Sequence, residues 1–582
     1  MTHPKRLPAA ERLAASAPPG ALRVVMDPDP AGKPSVLRTA LAAWSSIEEG
    51  ATHQLVVQDD MILSDSFFER VGAAVAELPH AALALFALWD SRNGAAVRLG
   101  AMAGARWVGA VNEYFPCVAI VLPRRVAEGF VAYGRARLDA WPDDILMYQY
   151  LRANGIPGYV SVPSLAEHED HGSISGNAFR GPRRAVAFLP GDRPGDEGAR
   201  LEGLRVIPFF KQGVAQCTVR VDGPGPERWL HLDCSDFLEG YGINTDRVID
   251  SLKSANVGLT EVYDQEAVKG TWLTAFTMGF VHRREGRGTD LSRTPVCAEA
   301  LATIGAGGVS HNRGEERIAE LRDGLARLAR AGVEAGLEAG AAPARRAAPA
   351  VTAPRVGVLG GATPLGEHVV RRLTDRGHTV SLVRGATGAD PGVDALIDLR
   401  PLRHGAGDAG ARVVVRFPDR AAGAGPLSYT LHTGDLYGPG CSLDTPIGRM
   451  VWSALRSHPV VVGEPEGAPL YPLHTADLIE AVARVLRTPP PERELFLPER
   501  EPVGEGEMAE AVRSAVRPVP LAGGPVAPGA RRRGPGPEIT GLPRPAGWGP
   551  GRGLHQGLHT FMQWLAYEGI RYAADPATDR TG

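Results

Sequence analysis

Two pairs of adjacent carboxylates, Asp59-Asp60 and Asp143-Asp144, are the side chains best suited to chemistry in this sequence. The first pair ends the apolar run His53-Gln-Leu-Val-Val57, which reads as a buried strand. In α/β sheets with parallel strands, ligands lie beyond the carboxyl ends of those strands. Adjacent acidic oxygens suit a hard cation, Mn²⁺ or Mg²⁺, that also holds a substrate's phosphates. The same residues could instead cap the helix that Ser64-Asp65-Ser66 opens. Asp143 and Asp144 follow Trp141-Pro142 at a helix start, where the dipole stabilises carboxylates. Capping accounts for one of them and leaves the other for acid/base work. His168 follows a strand in the loop Pro163-Ser-Leu-Ala-Glu-His168. A lone surface histidine is usually inert, but here it would share the ligand edge with Asp60 and complete a Mn²⁺ shell.

The elements that must hold these groups alternate along residues 1–195. Leu22–Met26 reads as a strand, and Ser35 opens an amphipathic helix through Leu37, Leu41 and Trp44. Phe67–Leu78 and Ile145–Asn154 read as helices, while Ala81–Trp89, Cys117–Leu122 and Tyr159–Val162 read as strands. Such alternation predicts an α/β domain. Residues 196–336 carry no chemical motif and read as an accessory α+β region, with strands at Arg205–Phe210 and Cys217–Val221. Helices are expected at Thr245–Ala255 and Gly314–Gly336. An Ala/Pro-rich linker is expected over 337–354, and a second α/β pattern occupies 355–582. Its Gly/Pro/Arg-rich segment, 522–553, is expected to be a loose loop. There, Arg531-Arg532-Arg533 reads as solvated in preference to contacting nucleic acid.

Composition narrows the function classes. A chain of 582 residues needs several domains. A net charge of −3 gives no reason to expect nucleic acid or an anionic membrane as a partner. Five scattered cysteines without a CxxC pair suggest reduced thiols. The N-terminus lacks the apolar run of a signal peptide, and no apolar stretch approaches membrane-spanning length. A cytoplasmic, multidomain α/β protein is expected.

The run Thr2-His-Pro-Lys-Arg6, with Asp27, Trp44, Gln58-Asp59-Asp60, Asp143-Asp144 and Pro163-Ser164 to His168, resembles nucleotide-sugar glycosyltransferases of the GT-A fold. The resemblance covers about residues 1–190, and Gln-Asp-Asp stands where that family more often has Asp-x-Asp or Glu-Asp-Asp. It implies that Asp59 and Asp60, with His168, hold a divalent ion on the donor's diphosphate. It implies Asp143 or Asp144 as catalytic acid/base, and Arg6 and Asp27 as nucleotide-sugar-contacting positions. Its implied partners are a nucleotide-sugar donor and an acceptor of unknown identity.

Arg355-Val-Gly-Val-Leu-Gly360-Gly361-Ala-Thr363-Pro-Leu-Gly366 is a strand entering a glycine-rich turn and a helix, the setting a dinucleotide fingerprint requires. With Gly434–Gly440, Leu473–Leu478 and Gly557–Leu565, it resembles extended short-chain dehydrogenase/reductases, including NAD-dependent sugar epimerases and dehydratases. The resemblance implies cofactor contacts from Gly360, Gly361, Thr363 and Gly366. Arg384, after the second strand, would favour NADP over NAD. The family's catalytic Tyr-x-x-x-Lys cannot exist here, because no lysine follows Lys269. That lysine lowers the tyrosine pKa and orients the ribose. The chain between Arg400 and Leu427 is also short of the elements that normally carry the pair. Tyr429 and Tyr437 therefore read as core or loop residues.

The sequence thus predicts a GT-A-like domain (1–195), an accessory region and a truncated Rossmann-like doubly wound domain. Sugar transfer from a nucleotide sugar with metal assistance is the leading expectation, the C-terminal domain being non-catalytic. The alternative is an NAD(P)-dependent epimerase or reductase, or a dinucleotide-binding scaffold or sensor.

Overall fold

The computed structural model describes residues 1–32, 35–138, 142–169, 181–221, 227–254, 264–287, 294–342, 354–383, 392–403, 412–417, 427–443, 445–463, 469–498, 501–523 and 535–569. The chain divides into two compact units, Met1–Ser235 with Thr245–Pro343, and Asp236–Asn244 with Ala344–Gly582. Both are mixed α/β structures. No helix among the described residues is long and apolar enough to cross a membrane.

In the first unit the order is α1 (Leu7–Ser16), α2 (Val36–Trp44), β1 (His53–Val57), β2 (Met61–Leu63), α3 (Phe67–Glu77), β3 (Ala82–Ala84), α4 (Arg92–Met102), β4 (Trp107–Gly109) and β5 (Ala119–Pro123). There follow α5 (Arg124–Arg135), α6 (Asp143–Ala153), β6 (Gly158–Ser161), β7 (Ala166–His168) and β8 (Arg200–Leu201). Ser35 caps α2 as expected, accepting from the Arg38 amide at 3.2 Å. Leu22–Met26 forms no strand; its one ladder contact is an isolated bridge from Met26 to Thr2. Helix α4 was not legible in the sequence, because all eleven of its residues are buried and no polar stripe marks it.

The six-stranded sheet runs β1-β5-β3-β6-β4-β8. It is mixed: β5 lies antiparallel to both β1 and β3, while β3 pairs parallel with β6 and β4 with β8. The insertion of β5 places the carboxyl end of β1 beside the segment that feeds β5, and the Gln58 amide donates to the Val118 carbonyl at 2.8 Å. A separate two-stranded ladder joins β2 to β7, opposing Met61 to His168.

The same unit continues through the antiparallel sheet β11-β10-β9, made from β9 (Val206–Lys211), β10 (Val214–Val221) and β11 (Arg228–Asp233). After α7 (Cys234–Glu239) and α8 (Thr245–Ser254) come α9 (Gln265–Arg284), α10 (Pro295–Val309) and α11 (Glu315–Ala341). Helices α9 and α11 pack backbone to backbone: a Cβ on Gly279 would lie 2.1 Å from the Val333 carbonyl oxygen, and one on Gly336 2.0 Å from that of Phe276. Helix α11 extends to Ala341, into the Ala/Pro-rich stretch.

The second unit contains β12 (Val356–Leu359), α12 (Pro364–Asp375), β13 (Val380–Val383), β14 (Ala395–Asp398), β15 (Arg412–Phe417), β16 (Leu427–His432), β17 (Asp435–Tyr437), α13 (Pro446–Leu455), β18 (Val460–Val462), β19 (Pro472–His474), α14 (Thr475–Arg487), β20 (Glu494–Phe496), α15 (Glu505–Ala515), β21 (Leu521–Gly523), α16 (Pro537–Thr540) and α17 (Leu554–Tyr567). Its main sheet is ordered β13-β12-β14-β15-β16-β20. β12 is parallel to β13 and β14, as in a Rossmann-like half. β15 then runs antiparallel to both β14 and β16. The expected loose segment 522–553 contains the end of β21 and the whole of α16 among its described residues; Arg531, Arg532 and Arg533 lie outside those residues.

Candidate functional site

The first carboxylate pair sits where the sequence places it, immediately after β1, with both residues buried. The β2–β7 ladder brings His168 to it: the Glu169 amide donates to the Asp60 carbonyl at 2.7 Å, and His168 Nε2 lies 3.2 Å from Asp60 Oδ2. Arg6, at the end of a 3₁₀ turn (Pro4–Arg6), points its guanidinium between the two acids. Its NH1 lies 2.9 Å from Asp60 Oδ2 and 3.3 Å from Asp59 Oδ1. Thr2 Oγ1 donates to Asp59 Oδ2. Burial works against ionisation of Asp60, but the His168 hydrogen bond and the charges of His168 and Arg6 outweigh it and hold the carboxyl below its ordinary range.

These partners bear on the expected divalent ion. Of the four oxygens of the pair, Asp59 Oδ1, Asp59 Oδ2 and Asp60 Oδ2 are engaged by protein donors. Asp60 Oδ1 alone is buried without a hydrogen-bond partner. Among the described residues no group of three His, Cys, Asp or Glu side chains is arranged to hold a metal ion. A hard cation needs several oxygens converging on one point, and as arranged here the pair converges on Arg6. Asp59, Asp60 and His168 are thus brought together, but held as an ion-pair network and not as an open coordination shell.

Asp27, expected to contact the nucleotide, is instead gripped by Arg38 of α2, with Nε to Oδ1 and NH2 to Oδ2 both at 2.8 Å. That bidentate hydrogen bond keeps its carboxyl below the usual range.

The second pair opens α6, with no side-chain cap hydrogen bond from Pro142 before it. Asp144 Oδ1 accepts from the Ile145 amide at 2.8 Å, and the Asp144 carbonyl accepts from Phe115. Asp143 is pushed up to about 7, first by burial and then by the charge of Asp144. Burial and both aspartates also raise the Cys117 thiol. Cys117 precedes β5, whose entry lies beside the end of β1, so both carboxylate pairs lie at one edge of the sheet. A cavity of about 270 Å³ lies behind β1, lined by Leu13, Leu22, Val25, Leu55 and Val57, and reaches Asp59. It is smaller than the ~300–1,000 Å³ typical of ligand pockets.

Sequence reasoning missed the buried polar cluster that holds the loop before β5. Asn93 accepts from the Val111 amide at 3.0 Å and donates to the Tyr114 carbonyl at 2.9 Å. Glu113 accepts from the Asn93 amide at 3.2 Å and lies 3.5 Å from Lys211 Nζ. Tyr148, on α6, donates to Asn112 at 3.0 Å. Nothing in the spacing of residues so far apart in sequence marks them as neighbours.

In the second unit, the Gly360–Gly366 turn joins β12 to α12. Gly360 has φ +82°, and Thr363 caps the helix, accepting from Gly366 at 3.0 Å while donating to the Gly360 carbonyl at 2.8 Å. A Cβ on Gly366 would lie 2.3 Å from the Gly360 oxygen, so the turn tolerates only glycine there. Gly361 lies against Leu382. Arg384 lies outside the described residues. Tyr429 is buried in β16 beneath Arg493, 4.7 Å from its ring centroid. Burial, with Asp477 and Cys441 nearby, raises the Tyr437 phenol above its usual range. Neither tyrosine has the adjacent lysine that would activate it.

No protein-family model matches this sequence, and no curated protein matches it either. Solved structures similar to part of the chain include UDP-glucose 4-epimerase of Thermus thermophilus in complex with NAD, at 17% identity and a TM-score of 0.26, covering 36% of this chain and 98% of that one. An epimerase of Methanothermobacter thermautotrophicus matches at 13% identity and a TM-score of 0.30, covering 39% of this chain and 96% of that one. The dTDP-glucose 4,6-dehydratase of Bacillus anthracis matches at 18% identity and a TM-score of 0.21, covering 24% of this chain and 45% of that one.

Proposed function

We propose that the first unit transfers a sugar from a nucleotide-sugar donor to an acceptor hydroxyl. The observation that carries this reading is Asp143, a buried carboxyl pushed up to about 7 at the sheet edge that also holds Asp59, Asp60, Arg6 and His168. A carboxylate that titrates near neutrality is suited to accept a proton. In the step envisaged, the acceptor oxygen bonds to the anomeric carbon and its proton passes to Asp143. The bond from that carbon to the diphosphate breaks, and the leaving group carries away the electron pair. Arg6 is the cation of the site nearest to where that charge would develop. The metal assistance expected from the sequence enters no step, because the acidic pair is closed on Arg6.

A second reading is supported by the β12–turn–α12 geometry, whose strands pair parallel as in a dinucleotide-binding half. In it, the second unit binds NAD, NADP or a nucleotide sugar, as an epimerase-like or reductase-like domain or as a scaffold. Antiparallel β15 and the absence of any lysine after Lys269 weigh against hydride chemistry there.

One experiment separates the two. The full chain is incubated with a panel of nucleotide sugars, and both the released nucleoside diphosphate and the configuration of the remaining sugar nucleotide are measured. Diphosphate release that Asp143→Asn abolishes supports transfer. Epimerised sugar nucleotide without diphosphate release supports the second reading and sinks the first.

A further inference from the structure

We infer that Arg6 is the resident cation of the Asp59–Asp60 pair and bars divalent ions from it, so that a metal binds there only when Arg6 withdraws. This refines the proposed transfer site and rests on that reading only for the diphosphate as natural ligand.

The pair carries two negative charges within one buried site, their side chains 9% and 7% exposed. Uncompensated buried carboxylates are costly, and they would either protonate or take up a cation. Asp60 does the opposite of protonating: its carboxyl is held below its ordinary range, so the site keeps its charge and needs a counterion. Arg6 is that counterion, reaching both acids through one nitrogen while its side chain is 14% exposed. Thr2 fixes the far oxygen of Asp59, and His168 fixes Asp60 from the ladder side. Asp60 Oδ1 remains, buried and without a partner, as the ligand atom that a metal would find first. The other oxygens a metal needs are those that Arg6 holds. A guanidinium and a divalent ion cannot share them, since the two cations would repel at contact distance.

Arg6 also lies on a short turn ahead of α1, outside the sheet. A diphosphate brought to the site would compete with the carboxylates for the guanidinium, because arginine binds both geometries through paired N–H donors. Donor binding would then draw Arg6 off the pair and open it to the ion. Metal and diphosphate would bind together, whereas the ion alone would be refused.

The test is electron paramagnetic resonance titration of Mn²⁺ against the full chain, which needs no turnover. The wild type is expected to leave the free-ion signal unchanged, whereas Arg6→Gln, or Arg6→Met if the former does not fold, binds Mn²⁺ at least about tenfold more tightly. Millimolar guanidinium added to the variant should displace the ion, and Asp60→Asn in the same background should remove the site. Wild-type binding as tight as that of the variant, or no binding by any Arg6 variant, overturns the inference. Failure of every nucleotide sugar to turn over would sink the transfer reading while leaving this result standing.

Discussion

His168 and Asp60, more than a hundred positions apart in sequence, meet at 3.2 Å because the antiparallel ladder opposes His168 to Met61, the residue after Asp60. The backbone, not a flexible loop, sets that distance. The ladder makes the histidine a fixed donor to the carboxylate and gives the acidic pair a rigid wall on one side.

Asp60 titrates below its ordinary range in the folded chain. A carboxyl with a depressed folded-state pKa contributes stability that is present above its unfolded value, near ~3.9, and lost as pH falls through the folded value. Urea unfolding between pH 3 and 7 should therefore show a loss of stability on the acid side that Asp60→Asn flattens. At pH 7 the same variant, which strands Arg6 and His168, should cost about 3–5 kcal/mol. Parallel curves for the two proteins would contradict the pairing.

Asp143 behaves with the opposite sign. Its folded-state value, about 7, lies above that of the unfolded chain. It therefore favours folding below the unfolded value, and that stability is lost as pH rises toward 7. Melting measured at pH 5 and pH 8 should show wild type losing more than Asp143→Asn across the interval. Diphosphate release, if Asp143 is the base, should rise with an apparent pKa near 7, and Asn in its place should lower it roughly 10²–10⁴-fold.

Arg70 on α3 is fully buried and grips Glu197 with Nε to Oε1 at 2.9 Å and NH2 to Oε2 at 3.0 Å, while Trp107 Nε1 donates to the same carboxylate at 2.8 Å. Breaking one side leaves an uncompensated buried charge. Arg70→Ala and Glu197→Gln should each cost about 3–5 kcal/mol in urea unfolding, and the double variant less than their sum.

In the second unit, calorimetric titration with NAD(H), NADP(H) and UDP-sugars should reveal any ligand of the β12–α12 turn. Gly366→Ala should abolish that binding, because its Cβ would meet the Gly360 oxygen. Thr363→Ala should lose the helix cap, at about 1 kcal/mol, while Thr363→Gly should cost only a few tenths. Hydride transfer detected in the wild type would overturn the non-catalytic reading.

Much of this was legible because local signals agreed. Ser35 as a cap, the strand before Asp59, the helix opening at Asp143 and the β12–turn–α12 unit each follow from patterns within a dozen residues. Misreadings arose where tertiary context decided. Leu22–Met26 has strand-like residues but makes only a single bridge. The apolar run Ala81–Trp89 supplies a strand of only Ala82–Ala84. Helix α4 is buried on every side and so lacks the periodicity that would announce it. At the site, residue types identified Asp59, Asp60, His168 and Arg6, but not which cation the acids hold. That depends on a few ångströms of guanidinium placement, which no spacing encodes. The reversal of β15 was hidden for a similar reason: a strand's direction is fixed by its neighbours, not by its own residues.

The glycine contacts between α9 and α11 carry a consequence for how this chain can change over generations. Gly279 and Gly336 face the opposing backbone itself, not a side chain that could rotate away. Every other amino acid at those positions would wedge two long helices apart. A library of all single substitutions, selected for soluble expression, should therefore be depleted at those glycines more completely than at the apolar residues around them. Drift in the sheet and its loops is free to retune the chemistry, while this seam admits almost no variation.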